Sequence, residues 1–155
     1  MYFGVPNIMF TRELEERKTS LKLTSIQNEI LVGTLLGDGH LETMNRGKTY
    51  RLKIEHTMKQ KAYVDWLYGH FMGWVATSPR VRIRHVDFQR KSGEYELYGF
   101  QTLSVGNLRF FAHQFYDGAK KVVPKHIGRW LTPRALAIWY MDDGSIKSKA
   151  HRTVL

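Results

Sequence analysis

Apolar residues in this chain recur at two spacings. Ile26, Ile30, Leu31 and Leu35 follow the 3.6-residue repeat of a helix, with Thr24 or Ser25 placed to cap it. The pattern runs to Gly37–Gly39, and Gly39 is expected to end the helix in a left-handed conformation. Residues 40–44 and 50–56 then read as strands around the turn Asn45-Arg46-Gly47-Lys48, with Leu52 and Ile54 alternating against Arg51, Lys53 and Glu55. Helical spacing resumes over 59–73 through Ala62, Trp66, Leu67, His70 and Phe71, until Ser78-Pro79 breaks it. Val81 and Ile83 alternate with Arg82 and Arg84 in a strand over 80–88, and a turn at Lys91-Ser92-Gly93 leads to another over 95–104. Helices follow near 108–116 and from Thr132-Pro133 to Met141, where Pro133 suits a first helical position. The order predicts an α+β domain, αββαββα, with an antiparallel sheet and a further helix after it. The aromatic residues Trp66, Tyr68, Phe71 and Trp74 recur at helical spacing and are expected in the core.

The chain has 155 residues, 43% of them hydrophobic, enough for one packed domain. Lys and Arg number 24 against 14 acids, a formal charge of +10, which favours phosphate backbones or anionic surfaces as partners. Ten basic residues and three acids fall between Lys48 and Lys91. No cysteine is present, which excludes disulfides, thiolate zinc sites and thiol nucleophiles, and is compatible with a reducing intracellular location. No apolar run approaches the roughly 20 residues of a membrane span. The opening MYFGVPNIMF is apolar but short and lacks a basic lead, so it reads as an arm rather than a signal peptide, and 11–20 as a solvated helix or linker. The seven histidines show no metal-ligand spacing and read as core or surface residues.

One segment repeats. Leu31-Val32-Gly33-Thr34-Leu35-Leu36-Gly37-Asp38-Gly39 and Leu136-Ala137-Ile138-Trp139-Tyr140-Met141-Asp142-Asp143-Gly144 are both apolar helices that end in Asp-Gly. A carboxylate at a helix C-terminus meets the negative end of the dipole, at a cost of about 0.3–1 kcal/mol. A divalent cation would remove that cost. Gly33 and Gly37 lie four apart on one helix face and would let the second helix approach closely, setting both Asp-Gly ends side by side. Two carboxylates at one point could hold the metal that phosphodiester hydrolysis uses to activate water.

The repeated helix, together with Gly47-Lys48-Thr49-Tyr50, Lys59-Gln60-Lys61-Ala62-Tyr63, Ser78-Pro79, Lys121-Val122-Val123-Pro124 and Leu131-Thr132-Pro133, resembles the LAGLIDADG homing endonucleases, in the branch with two motifs per chain. The resemblance covers about residues 25–150. It implies a site-specific, metal-dependent DNA endonuclease that makes double-strand breaks. The last acid of each motif, Asp38 and Asp143, would bind the catalytic metal, Mg2+ or another divalent ion such as Mn2+. Lys121 would stand near the scissile phosphate, although a lysine beside Lys120 could equally be a plain phosphate contact. Asp142 falls on a position the family leaves variable, so its expected role is supporting, as is that of Gln101. DNA would lie on the charged sheet face, where a strand pair fits the major groove. Base contacts are expected from His40, Glu42, Arg51, Lys53, Glu55, Arg82 and Arg84, and phosphate contacts from Arg46, Lys48, Lys59 and Lys61. A merely solvated sheet face would show the same alternation.

The chain departs from the pattern where Ile138 and Asp142 stand opposite Gly33 and Gly37, which makes the helix pair asymmetric. Residues 1–24 read as an arm or helix, 25–130 as the first unit, and 131–155 as the second motif helix and the start of a second unit. Only twelve residues follow Asp143. The expectation is therefore the N-terminal part of a longer enzyme, half of a split one, or a chain that pairs with a second. Some relatives of this fold act as intron maturases, so RNA binding, or DNA binding without cleavage, are the alternatives. An organelle or a prokaryotic cytoplasm would suit either.

Overall fold

A computed structural model describes residues 8–88, 91–147 and 152–154. The apolar residues 1–7 and His151 lie outside the described residues.

Helix α2 (Ser25–Leu36) is the centre of the fold. Thr24 caps it: its hydroxyl accepts the Gln27 N–H at 3.2 Å, while the Gln27 side chain accepts the Thr24 N–H at 2.9 Å. Such a reciprocal cap contributes about 1 kcal/mol. Six consecutive residues, Ile30 to Leu35, are buried, because α2 is covered on two sides. A sheet and helix α3 (Lys61–Phe71) cover one side, and helix α5 (Pro133–Asp143) covers another.

The sheet holds strands β1 (His40–Glu42), β2 (Arg51–Thr57), β3 (Arg80–Phe88) and β4 (Lys91–Gln101), antiparallel in the order β1-β2-β4-β3. Within the loop that joins β1 to β2, the turn Asn45–Lys48 places Arg46 at φ 57° and Gly47 at φ 80°, a left-handed pair that the tight turn requires. Register fixes two faces. Leu41, Leu52, Ile54, His56, Tyr98 and Phe100 point toward the helices and are buried. His40, Glu42, Arg51, Lys53, Glu55 and Gln101 point the other way. From α3, Val64, Leu67 and Phe71 close the inner face, and each fully buried Leu or Phe adds roughly 1.5–3 kcal/mol.

After β4 come helix α4 (Arg109–Phe115) and a two-residue hairpin, β5 (Tyr116–Asp117) and β6 (Lys120–Lys121), turning at Gly118 with φ 60°. Thr132 caps α5 by accepting the Ala135 N–H at 3.2 Å, and Pro133 takes the first turn. Strands β7 (Ser145–Lys147) and β8 (Arg152–Val154) follow, so the second Asp-Gly leads into a strand as the first does. Helix α1 (Ile8–Ser20) docks through Arg17. Its guanidinium donates to the carbonyls of Gly73 at 2.7 and 3.0 Å and Val75 at 3.1 Å, where the segment after α3 leaves carbonyls unpaired.

Three expectations are corrected. The α2 cap is Gly37, at φ −98°, and Gly39 is not left-handed. Gly39 is needed instead for close approach, since a Cβ there would meet Thr34 Cβ at 2.8 Å. Lys91, Ser92 and Gly93 do not form a turn but pair with Phe88, Asp87 and Val86 inside the long β3–β4 hairpin. Trp66 is 46% exposed and Ala62 is exposed, because α3 turns Val64, Leu67 and Phe71 inward and leaves the other side in solvent. Val81 and Ile83 alternate as a strand should but are also exposed, since β3 is an edge strand that α3 does not cover.

Candidate active site and sheet surface

Helices α2 and α5 run parallel and in register. Glu29 pairs with Arg134 near their N-termini, Gly33 faces Ala135 and Ile138, and Gly37 faces Asp142. A Cβ on Gly33 would lie 2.6 Å from the Ala135 carbonyl oxygen and 2.8 Å from Ile138 Cβ, so a side chain there has no room. At Gly37 the space is filled by the Asp142 side chain. The two helices therefore end at the same level, and both Asp-Gly corners sit at one end of the pair.

The three acids at that end differ. Asp38 is half exposed and Asp143 is exposed, its Oδ2 accepting the Trp139 indole N–H at 3.1 Å. The Asp142 side chain is fully buried. Its Oδ2 accepts the Asp38 N–H at 3.0 Å and its Oδ1 accepts the Tyr63 hydroxyl at 2.9 Å. Burial pushes its carboxyl up to about 6, and the nearby His56 only partly offsets this. Burial and the Asp142 charge raise the Tyr63 phenol in turn. Asp142 is thus a link that ties the backbone of the first Asp-Gly corner to the second helix.

His56, the third inward residue of β2, lies behind both acids. Its Nδ1 is 3.7 Å from Asp38 Oδ2 and its Nε2 is 3.5 Å from Asp142 Oδ1, and its ring meets Tyr63 edge-on at 5.3 Å. The Nε2 atom is buried and has no hydrogen-bond partner among the described residues. Neither His56 nor Tyr63 was singled out from the sequence. The signal was the alternation Leu52, Ile54, His56, which carries the histidine to the inner face.

Lys121, on β6, reaches into the same corner. Its ammonium donates to the carbonyls of Gly37 at 2.5 Å and Gly39 at 2.6 Å, on either side of Asp38. Burial pushes its pKa down, opposed by Asp38, Asp143 and Asp142. The structure thus brings together Asp38, Asp142, Asp143 and Lys121. Gln101 stands elsewhere, on the open sheet face beside Lys53.

Among the described residues no cluster of three or more His, Asp or Glu side chains has the spacing to enclose a metal alone. The donor set nevertheless fits a hard cation. Two accessible carboxylates at two helix C-termini offer oxygen ligands in a negative field. Mg2+ characteristically binds through one or two carboxylates and takes its remaining ligands from water and phosphate.

The open sheet face is charged along β1, β2 and β3, while β4 contributes Tyr95, Leu97, Gly99 and Gln101 to it. Arg51 donates to Glu42 Oε2 from Nε at 3.0 Å and Nη2 at 2.8 Å. Lys53 and His40 approach Glu42 Oε1 at 3.4 and 3.1 Å. Burial alone would raise the Glu42 carboxyl, but the hydrogen bonds from Arg51 and His40 and the Lys53 charge together hold it at about 2. Arg82 donates to Glu55 at 2.7 Å. Glu42, Arg51, Lys53, Glu55, Arg80 and Arg82 line a concavity of about 380 Å³ with Gln101 at one side. Arg84 follows Arg82 on the same face of β3. Arg46 and Lys48 lie exposed on the β1–β2 turn and Lys59 is exposed just before α3. Lys61 is displaced from this surface: it pairs with Asp65 at 2.5 Å and lies over the Tyr98 ring, on the helix side of the sheet. Among the described residues no helix is long and apolar enough to cross a membrane.

Comparison with known proteins agrees with this architecture. Residues 28–155 match the LAGLIDADG DNA endonuclease family. The chain is 32% identical over 133 residues to the DNA endonuclease I-ChuI of Chlamydomonas applanata, covering 82% of this chain and 61% of that protein. It is 29% identical over 140 residues to a probable intron-encoded endonuclease of Wickerhamomyces canadensis, covering 90% and 58%. The solved structure of the homing endonuclease I-WcaI bound to its DNA recognition sequence superposes with a TM-score of 0.78 at 25% identity, over 96% of this chain and 63% of that one. The chain thus spans about three fifths of the length of these relatives. A match over most of the chain, on a fold built around the paired motif helices, makes this protein a member of the LAGLIDADG DNA endonuclease family.

Proposed function

We propose that the chain forms part of a site-specific, metal-dependent DNA endonuclease. The observation that carries this reading is the corner where Asp38, Asp143 and Lys121 meet at the end of the α2–α5 pair. Asp38 and Asp143 would hold a divalent cation, Mg2+ or Mn2+, which when bound supplies positive charge for a phosphodiester and acidifies water. Lys121, fixed by two carbonyls, keeps its ammonium beside Asp38, where it can offset charge developing on a phosphate oxygen. Asp142 and Tyr63 hold the Asp38 backbone in place. The open sheet face binds duplex DNA. Arg51, Lys53, Arg82 and Arg84 are set for base edges, and Arg46, Lys48 and Lys59 for phosphates. On this reading residues 25–130 form one unit and 131–155 open a second, and a complete enzyme uses a further half or a second chain.

The test is Mg2+-dependent nicking of a randomised duplex library by the full-length protein, with Asp38→Asn and Asp143→Asn beside it. Cleavage lost in both variants, with DNA binding kept, is the expected result. Cleavage equal to the parent in both would remove the assignment. Tight binding of structured RNA without any DNA cleavage would favour the maturase reading instead.

A further inference from the structure

Glu42 is out of place on a surface that binds a polyanion. It sits on β1, on the same face as His40, Arg51 and Lys53, and its two oxygens are held by all three. A glutamate with its acceptors so occupied is a poor reader of a cytosine amino group, the contact otherwise expected of it. Its effect falls on Arg51. Both bonds from Arg51 leave from one side of the guanidinium, Nε and Nη2. The guanidinium has five donors in a rigid plane, so that side is used and the Nη1–Nη2 fork has no partner among the described residues. That fork matches the O6 and N7 acceptors of guanine in the major groove. Arg51 lines the sheet concavity with Lys53, and it also borders a second hollow beside Met44, Asn45 and Thr49.

Resting on the reading of this sheet as the DNA-binding surface, we propose that Glu42 is a specificity-setting positioning residue, which holds Arg51 in the orientation that selects a guanine. An arginine without such a clamp samples many rotamers and satisfies phosphates and bases alike. A clamped one has already lost that freedom and rejects partners that do not fit its fork. Glu55, on β2, accepts a single bond from Arg82 Nη2, reaching across β4 from β3.

The experiment is selection of bound sequences from a randomised duplex library, with metal chelated so that binding is read without cleavage. The parent, Glu42→Gln, Arg51→Lys and the double variant are compared after thermal melting has verified that each is folded. The expected result has two opposite parts. Glu42→Gln loses about tenfold or more of the preference for guanine at one position of the enriched motif. The same variant binds unselected DNA more tightly, since one negative charge is gone. Arg51→Lys keeps its charge but loses preference at that same position, and the double variant loses no more than either single one. A motif that Glu42→Gln or Arg51→Lys leaves unchanged, or weakens equally at every position, overturns the inference while the DNA-binding reading stands. A parent that enriches no sequence removes that reading, and the inference with it.

Discussion

Gly33 and Gly69 are both helical glycines in this fold, and alanine at each should move stability in opposite directions. Gly69 is exposed on α3, and a Cβ there meets nothing within 4 Å. Gly69→Ala gains only helix propensity and should stabilise the protein by about 0.4–1 kcal/mol. Gly33→Ala gains the same propensity but sets a methyl 2.8 Å from both Cβ and Cγ2 of Ile138. Carbon atoms rest at about 3.5–4.0 Å, so α2 and α5 must separate by about 1 Å. Overpacking of that kind costs about 1–3 kcal/mol, which leaves Gly33→Ala between neutral and about 2 kcal/mol destabilised. Gly37→Ala should fare worse, because Gly37 lies past the helical conformation and gains nothing to offset its collision with Asp142. Urea denaturation followed by circular dichroism gives the three values directly. On the proposed catalytic role of Asp38 and Asp143, the same separation moves them apart by a comparable distance, and a misplacement of about 1 Å can cost on the order of 100-fold in rate. Gly33→Ala as stabilising as Gly69→Ala would refute the close helix contact and the site geometry built on it.

Two other predictions concern the groups that fasten the corner and the N-terminal helix. The Asp142 carboxyl is raised from 3.8 to about 6, so the folded state holds its proton more tightly than the unfolded chain does. Its contribution to stability is present below about pH 4 and lost as the pH rises through about 6. In metal-free buffer Asp142→Asn should therefore be more stable than the parent at pH 8, with the advantage gone by pH 4. Urea midpoints that differ equally at both pH values would contradict this. Arg17→Ala removes the bonds that dock α1 and should cost about 1–2 kcal/mol. Amide exchange should then accelerate along Ile8–Ser20, while the sheet amides stay as protected as before.

Much of the fold could be read from periodicity, because the relevant interactions are local. The α2 and α5 patterns, the Thr24 and Thr132-Pro133 starts, and the alternation in β2 each depend on neighbours within a few residues. What periodicity cannot carry is which distant surface covers a given face. Val81 and Ile83 keep the strand rhythm yet lie on an uncovered edge. Trp66 keeps the helix rhythm yet faces solvent, and Lys61 is drawn to Asp65 and Tyr98 rather than to the basic face. At the site, the motif acids Asp38 and Asp143 were evident from their repeat. The burial of Asp142 was not, because it follows from the absence of a side chain at Gly37, more than a hundred positions away. His56 and Tyr63 join the corner through the β2–α3 contact; His56 carries no motif, and the segment that ends in Tyr63 does not by itself point to the acids.

The α2–α5 pairing also bears on how the chain folds during synthesis. Ala135 and Ile138 are buried against a helix made more than a hundred residues earlier. Closing so long a loop costs entropy before the contact returns any of it, which makes this pairing a late step. A nascent chain that ends near residue 130 would hold the sheet and α3 with one flank of α2 still bare to solvent. Helix α5 is thus the last piece that the packing of α2 needs. A ribosome pause or truncation just before Pro133 should leave a sticky, protease-sensitive intermediate, although nearly all of the sheet has already been made.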